Sequence, residues 1–542
     1  MRMLILAIVA ALSGCQGVIG DAGGHDPDDP DRPGVTKNPL EEVPVSNARR
    51  LSRDELDHAL GTLLHTHRRF ATELLPEDDQ EREGLFLHWP FDNRYTHQRS
   101  DKVLVQAYES LAREAALDLV ADEERRMAVL PCEPSGADDA ACFEAFLRDF
   151  GRRAFRRPLG EDEVARFMPL FAEAGADGDF FAAVDLAVRV FVQSPDFLYR
   201  VELGTPHEEH EGLRALDGYE LATRMAFFLW GRGPDDELLD LAADGALESP
   251  EMRRDVAHLM LDAPEAIDQV ERFHAQWLGF RQLPHSPELT TSMRLETRAL
   301  LERTIFELDA PYMDVFRARD TFIDERLAEH YGMPSPGAEA AFVDYEDAAR
   351  AGILSHGSVL GAFNTGGDTS TTRRGVFVRE RLMCQEIPPP PPTVNVDDLP
   401  ETECKSELIE VHQQGACGGC HRLMDPVGWG LENFDLAGRY REHDDGKPEC
   451  SIDGNGELDG APFRGPAELS ALLIASGDLD ACVVLQVMRF ALGREEQPDD
   501  AGFIRELTEA RVGREWTFRE LLVDIVANER FGYVREDMRD GE

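Results

Sequence analysis

The stretch LSRDELDHALGTLL, residues 51–64, shows the pattern that recurs along the whole chain. Ser52 and, three residues later, Glu55 form a capping box, in which each side chain satisfies a free backbone amide at the start of a helix. The leucines that follow recur at three- and four-residue spacing, so they lie on one face of that helix. The stretch therefore predicts an amphipathic helix with one buried face.

Similar helical signals continue outward from this stretch. They predict further helices over residues 101–121, 143–155, 161–168 and 216–231. Alternating apolar and polar stretches of strand length are scarce by comparison. The chain is therefore expected to be mostly α-helical.

Composition limits the classes of function. The chain has 542 residues, 42% of them apolar, and a formal net charge of −49. The apolar content is sufficient for sizeable hydrophobic cores. A surface this acidic repels phosphate backbones, which excludes a generally basic nucleic-acid binder. We therefore expect no nucleic-acid partner.

The first fifteen residues carry an export signal. Residues 3–12 form an apolar run that is too short to span a bilayer and has the length of a signal-peptide core. The run leads into Leu12-Ser13-Gly14-Cys15, which resembles the bacterial lipoprotein box, where the cysteine is lipidated and becomes the mature N-terminus. The alternative is an ordinary signal peptide that happens to precede a cysteine. The lipoprotein interpretation predicts an exported protein that is anchored to a membrane through Cys15, on the periplasmic face or at the cell surface.

The other eight cysteines suit an oxidising compartment. Cys132 and Cys142 flank a short loop and are predicted to form a local disulfide. Two more, Cys417 and Cys420, belong to a motif of their own. The remaining four can pair in three ways, among which the sequence does not choose: Cys384, Cys404, Cys450 and Cys482.

The motif Cys417-Gly418-Gly419-Cys420-His421 is the most specific chemical signal in the chain. C-x-x-C-H is the attachment signature of c-type haem. Two thiols about one helical turn apart can both reach the vinyl groups of one porphyrin, and the adjacent histidine then ligates the iron. The motif predicts one covalent haem c, attached to Cys417 and Cys420, with His421 as the haem-iron ligand.

Three other interpretations of the two thiols stay open. A redox-active C-x-x-C is typical of a βαβ context, which the sequence does not predict here. A zinc site needs further ligands, which Cys404 or His412 could supply. A plain disulfide between Cys417 and Cys420 is the third alternative.

Residues outside the motif offer partners for a haem. Arg439 and Arg441 could pair with its propionates, although surface arginines are an equally good interpretation. The sixth iron ligand is not evident from the sequence. His356, His412 and His443 are the open candidates.

Several short segments occur in a characteristic order along the chain. They are FRRPL (155–159), SPDFLYRVE (194–202), FLW (228–230) with PDDEL (234–238), QWL (276–278), GILSH (352–356), RG (374–375), the proline run (388–392), MDPVG (424–428), LENFD (431–435) and ALGR (491–494). Together they resemble a known family, the large exported planctomycete and myxobacterial proteins built from serial domains of unknown function, which are grouped with planctomycete-type cytochromes c. The resemblance covers residues 47 to 535 and implies an exported, mainly helical, multidomain protein with a C-x-x-C-H segment near its C-terminus, but no established substrate. Residues 369–375 depart from the family pattern, because relatives commonly have Ser-Pro before the Arg-Gly pair.

The predicted organisation combines these signals. Its parts are a lipoprotein signal peptide (1–15), a flexible acidic Gly/Pro linker (16–46), an N-terminal helical domain (47–125), a helical domain with the Cys132–Cys142 staple (126–205), a third helical domain (206–345), a connecting segment with the run of five prolines at 388–392 (346–400), and a cytochrome c-like helical domain with the C-x-x-C-H motif (401–535).

The predicted function is electron transfer or haem-based redox chemistry, with an unidentified redox or surface protein as partner. Whether the chain is an enzyme stays open. The alternative is a non-catalytic surface protein that binds partners or acts as a scaffold, with Cys417 and Cys420 forming a disulfide or a zinc site.

Overall fold

Helices dominate the structure, a computed structural model that describes residues 43, 48–78, 89–98, 101–174, 179–365, 367–387, 402–415, 417–444 and 446–535. The mostly α prediction is confirmed. Cys15 and the proline run at 388–392 lie outside the described residues.

The first group of helices shares one hydrophobic core, built from buried residues between Leu51 and Leu198 together with Phe227. Both predicted segments, 47–125 and 126–205, contribute to it. The capping box has formed, since Glu55 N–H donates to Ser52 Oγ and Ser52 N–H donates to Glu55 Oε2. The helices are α1 (Arg53–Leu64), α2 (Phe70–Leu74), α3 (Lys102–Ala121), α4 (Glu123–Ala128), α5 (Ala140–Phe155), α6 (Glu161–Phe167), α7 (Pro169–Ala174), α8 (Phe180–Gln193) and α9 (Pro195–Leu198).

A second and larger core runs from residue 216 to residue 534, with Trp89 and Phe91 added from the first third of the chain. Trp277 is fully buried near its centre, and its Nε1 donates to the carbonyl of Arg381 at 2.7 Å. The helices are α10 (Gly218–Leu229), α11 (Asp236–Ala243), α12 (Pro250–Leu261), α13 (Pro264–Trp277), α14 (Pro287–Leu301), α15 (Asp314–Arg317), α16 (Glu325–Tyr331), α17 (Gly357–Leu360), α18 (Thr371–Val376), α19 (Lys405–His412), α20 (Gly418–Trp429), α21 (Gly465–Ser476), α22 (Asp478–Leu492), α23 (Ala501–Glu509) and α24 (Phe518–Ala527), with π-helical turns at Glu302–Glu307 and Phe377–Leu382.

The segment that the sequence marks as a connector contributes to this second core. Ile353, Val359 and Val378 are buried in it together with residues from the C-terminal third of the chain. The π-helical turn that follows α18 therefore belongs to the same core as Val427 on α20, the helix that carries the C-x-x-C-H motif.

Strands are short and form small antiparallel ladders between the helices. The pairs are β1–β2, β5–β6, β7–β8, β9–β10 and β11–β12, with one three-stranded sheet in the order β13-β4-β3. Their bounds are β1 (Arg49–Arg50), β2 (Tyr199–Arg200), β3 (Thr205–Pro206), β4 (Leu213–Ala215), β5 (Asp320–Ile323), β6 (Ala341–Asp344), β7 (Asn364–Thr365), β8 (Asp368–Thr369), β9 (His443–Asp444), β10 (Lys447–Ser451), β11 (Gly456–Leu458), β12 (Ala461–Phe463) and β13 (Tyr533–Arg535).

Three disulfides cross-link the described residues. Cys132 is bonded to Cys142, the pair that the sequence predicts. The four cysteines with three possible pairings form Cys384–Cys482 and Cys404–Cys450. The last of these bonds attaches the residue before α19 to β10.

No single helix in the described ranges is both long enough and apolar enough to cross a membrane. The adjacent pair α21 and α22 passes that test jointly but is bent by 83°.

Candidate functional site

Two thiols at the start of α20 stand apart from the other cysteines. Cys417 immediately precedes the helix, Cys420 lies in its first turn, and both are half-buried. Neither is bonded to another sulfur, whereas the other six described cysteines are paired. The disulfide expected under one alternative is therefore not formed between them. Cys404 cannot serve as a zinc ligand here, because its sulfur is bonded to Cys450.

His421 follows the second thiol on the same helix. Its backbone N–H donates to the carbonyl of Cys417 at 3.1 Å, which makes the motif part of the helical turn. Its ring Nδ1 lies 3.0 Å from Asp425 Oδ2. The spacing of four residues puts both side chains on one face of the helix. Within the described ranges, no hydrogen bond to Nε2 is formed, so this nitrogen is the one left for a ligand.

Asp425 is fully buried and receives three polar contacts. Thr372 Oγ1 donates to its Oδ1 at 2.7 Å, while His421 Nδ1 and His412 Nδ1 lie 3.0 Å and 3.4 Å from its Oδ2. Burial raises the pKa of this carboxyl, but the contacts of the two imidazoles and the Thr372 hydroxyl outweigh burial and hold the pKa below its usual range. The group is therefore a carboxylate at neutral pH.

His412 brings a second imidazole to the same carboxylate. It is the last residue of α19, it is buried, and its ring centroid lies 4.2 Å from that of His421. Its Nδ1 is buried and lies 3.4 Å from Asp425 Oδ2 without forming a hydrogen bond. One ligand atom from each of His412, His421 and Asp425 lies within 4.8 Å of the other two, a spacing that could hold a metal ion.

The position of Asp425 depends on unusually close contact between α18 and α20. A Cβ atom on Gly375 would lie 1.9 Å from the carbonyl oxygen of Met424, and one on Gly428 would lie 1.8 Å from that of Thr371. Only glycine fits at either point, so the two backbones touch. This contact places the Thr372 hydroxyl against Asp425.

A buried ion cluster fixes the surrounding segments. Glu432 is fully buried and accepts from Arg374 at 3.2 Å, Lys405 at 2.9 Å and Arg441 at 2.6 Å. These cations come from α18, from α19 and from the chain after α20. Because a carboxylate that is buried without partners costs several kcal/mol, the three cations make this arrangement tolerable. Of the two arginines considered as propionate partners, Arg441 pairs through its guanidinium with Glu432. The side chain of Arg439 is 59% exposed.

The three candidates for a sixth iron ligand are in different surroundings. An imidazole nitrogen lies about 2 Å from a bound metal, so two rings on opposite sides of one iron have centroids about 6 Å apart. The ring centroids of His412 and His421 are only 4.2 Å apart. In this arrangement His412 is therefore too close to His421 to ligate an iron from the opposite side. His443 is exposed on β9.

His356 belongs to a separate buried cluster around α14. Its Nδ1 lies 3.0 Å from Thr297 Oγ1, and its Nε2 lies 3.9 Å from Glu296 Oε1. Burial and the charge of Arg350 lower the pKa of His356 to about 3, so the ring is neutral. Its surroundings are those of a core histidine.

Sequence reasoning missed the roles of Asp425 and Thr372. The signal for Asp425 was present, since a histidine and an aspartate four residues apart on a predicted helix share a face. No local signal identifies Thr372, because its contact depends on the packing of α18 against α20.

Four family models match consecutive parts of the chain, all described as proteins of unknown function. The matches are DUF1595 over residues 142–202, DUF1592 over 216–333, DUF1588 over 350–444 and DUF1585 over 459–531. No curated protein and no solved structure matches the chain.

The fold and these matches define a class, a mostly helical chain that is assembled from serial domains of unknown function. More particularly, the four matched models are those of the planctomycete-type cytochrome c domains, which supports the serial arrangement that the resemblance implies. The candidate site at residues 417–425 lies within the DUF1588 match.

Proposed function

We propose that the chain binds one covalent haem c through Cys417 and Cys420, with His421 as an axial iron ligand, and that it acts in electron transfer or haem-based redox chemistry. The observation that carries this proposal is the pair of unbonded thiols beside a histidine whose Nδ1 is already held, in a chain whose other described cysteines are paired.

The donor set suits the group. Both thiols are half-buried and lie at the start of one helix, as double thioether attachment requires. His421 keeps Nε2 for the metal because Asp425 accepts at Nδ1. The bound haem would supply one-electron chemistry at iron. The DUF1588 model also carries a short name that denotes a cytochrome-like domain, which adds support, although its description assigns no function.

We also propose a location for the protein. Export and lipidation at Cys15 would anchor it to a membrane and expose the C-x-x-C-H motif to the compartment where haem c is attached. Its partner would be a redox or surface protein rather than a nucleic acid, because the net charge is −49.

A second candidate is a mononuclear metal site in a non-catalytic surface protein. The observation in its favour is the convergence of His412, His421 and Asp425, together with the buried and poorly satisfied Nδ1 of His412. Two imidazoles and one carboxylate are typical zinc ligands. His421 Nδ1 would then face the ion instead of donating to Asp425.

Expression in a host with cytochrome c maturation separates the two candidates. The haem proposal predicts a Soret band and a peroxidase-active band that persists on a denaturing gel, because thioethers survive denaturation. The double variant Cys417→Ala, Cys420→Ala should lose both signals. The matched control Cys132→Ala, Cys142→Ala removes two cysteines elsewhere and should keep them.

The zinc candidate predicts different results from the same preparations. The purified protein would be colourless and would release stoichiometric metal to a chelator. His412→Ala would then abolish metal binding, whereas the cysteine variants would retain it. A correctly exported wild-type protein without Soret absorbance would overturn the haem proposal.

A further inference from the structure

We propose that Asp425 is a positioning residue for His421: its buried carboxylate fixes the ring orientation and tautomer of the histidine and makes Nε2 a more electron-rich ligand atom. This inference rests on the proposed haem, because it concerns the ligand that His421 would provide.

The geometry determines which ring nitrogen carries the proton. Asp425 Oδ2 lies 3.0 Å from His421 Nδ1, and an ionised carboxylate can only accept a hydrogen bond. Nδ1 must therefore carry hydrogen, and Nε2 of the neutral ring keeps its lone pair. Histidines that bind metals commonly donate their other N–H to a carboxylate in this way, which raises the basicity of the ligand.

The carboxylate itself is held rigidly on its other side. Thr372 Oγ1 donates to Asp425 Oδ1 at 2.7 Å, and Thr372 sits on α18, whose backbone touches that of α20 at Gly375 and Gly428. Asp425 has no exposed surface, so water does not screen its charge. His412 lies 3.4 Å from the same oxygen that faces His421 and limits movement on that side.

The charge of Asp425 should also affect the reduction potential of the haem that we propose. Negative charge that a buried carboxylate contributes to an axial imidazole stabilises the higher oxidation state of the iron. The pair His421 and Asp425 should therefore lower the reduction potential of the centre. Thr372 opposes this effect, because its hydroxyl withdraws charge from the carboxylate.

Two substitutions should shift the potential in opposite directions. Asp425→Asn replaces the charge by a neutral amide of the same shape, so at a potential near the wild-type midpoint the ratio of reduced to oxidised haem should rise about tenfold. Thr372→Val removes the hydroxyl and leaves more charge for His421, so the same ratio should fall. Asp425→Glu should restore the potential towards the wild-type value.

The control is Asp453→Asn. Asp453 accepts a hydrogen bond at 2.7 Å from Nε1 of Trp429, the last residue of α20. Among the described contacts, none joins Asp453 to His421. The measurement is a spectroscopic redox titration of the full-length protein, with haem content checked by mass. The control should titrate like the wild type.

The outcomes distinguish this inference from the proposed function. A wild-type protein without haem overturns both. Haem-loaded variants whose potentials stay within the spread of wild type and control, or move in the same direction, overturn the role of Asp425 alone. If Asp425→Asn takes up no haem, Thr372→Val decides, and a rise or no change in its potential overturns the inference.

Discussion

Glu296 is the residue whose burial has the clearest consequence for stability. It is fully buried on α14, where Thr321 Oγ1 donates to Oε1 at 2.6 Å and the Tyr331 hydroxyl donates to Oε2 at 2.9 Å. Burial raises the pKa of Glu296 to about 7, because the two hydrogen bonds and the charge of Arg350 only partly offset the loss of hydration. The side chain therefore takes up a proton in the folded protein at pH values where it is ionised in the unfolded chain.

Replacing this carboxyl should change how stability depends on pH. Because the folded pKa lies above the unfolded value of 4.5, the stabilisation is fully present below about pH 4.5 and is lost as the pH rises to about 7. The free energy of unfolding of the wild type relative to Glu296→Gln should fall by about 3 kcal/mol across that window. Chemical unfolding of both proteins between pH 4 and pH 8 measures this difference, and parallel profiles would contradict it.

At the level of helices, the contact between α18 and α20 shapes the candidate site. The two backbones meet where Gly375 faces Met424 and where Gly428 faces Thr371. The short distances leave no room for side chains, so the Arg-Gly pair and the MDPVG segment serve one structural purpose. They bring Thr372 to Asp425 and allow Arg374 to reach Glu432.

Alanine at these glycines should force the helices apart. Gly375→Ala and Gly428→Ala would each introduce a methyl group into a closed backbone contact, which we expect to destabilise the protein by about 1–3 kcal/mol. The matched control is Gly419→Ala on α20, the helix that also carries Gly428. A Cβ atom at position 419 would meet nothing within 4 Å, so this substitution should be neutral or slightly stabilising. Thermal unfolding compares the three variants, and equal midpoints for Gly428→Ala and Gly419→Ala would refute the close contact.

Local signals and long-range contacts differed in how far the sequence could predict them. The capping box of Ser52 and Glu55 was predictable because it depends on four consecutive residues. The disulfide between Cys132 and Cys142 was predictable because the two cysteines are only ten residues apart and flank a short loop. The bonds Cys384–Cys482 and Cys404–Cys450 span 98 and 46 residues, and only the folded arrangement of α19, α22 and β10 selects them among three pairings.

The candidate site shows the same division. Cys417, Cys420 and His421 form a contiguous motif, so their identity was evident in the sequence. Asp425, the hydrogen-bond partner of His421, is contacted by Thr372 from α18 and by His412 from α19, and the contact from Thr372 depends on the close approach of the α18 and α20 backbones. The ion pair between Arg441 and buried Glu432 was also not evident from the sequence, because it depends on how the chain folds around Glu432.

Over the whole molecule, two large cores and two small hydrophobic clusters organise the described chain. The second core includes residues from both sides of the proline run at 388–392, so the candidate site is built from segments before and after that run. Helix α20, which carries the C-x-x-C-H segment, packs against α18 from before that run.

Membrane attachment is a prediction for the whole molecule. If Cys15 is lipidated, the mature protein should partition with membranes, and Cys15→Ala should release it into the soluble fraction or leave an unprocessed precursor. Cell fractionation with mass determination of the mature N-terminus measures this. Normal processing and unchanged membrane association of the variant would count against lipidation.

The most direct test of the central claim is the intact mass of the exported wild-type chain, purified from a host that matures c-type cytochromes and denatured before measurement. We predict a mass that exceeds the mature polypeptide by one haem, with the added mass on the peptide that contains Cys417 and Cys420. A mature, exported polypeptide without added haem mass on that peptide would contradict the assignment and, with it, the redox function.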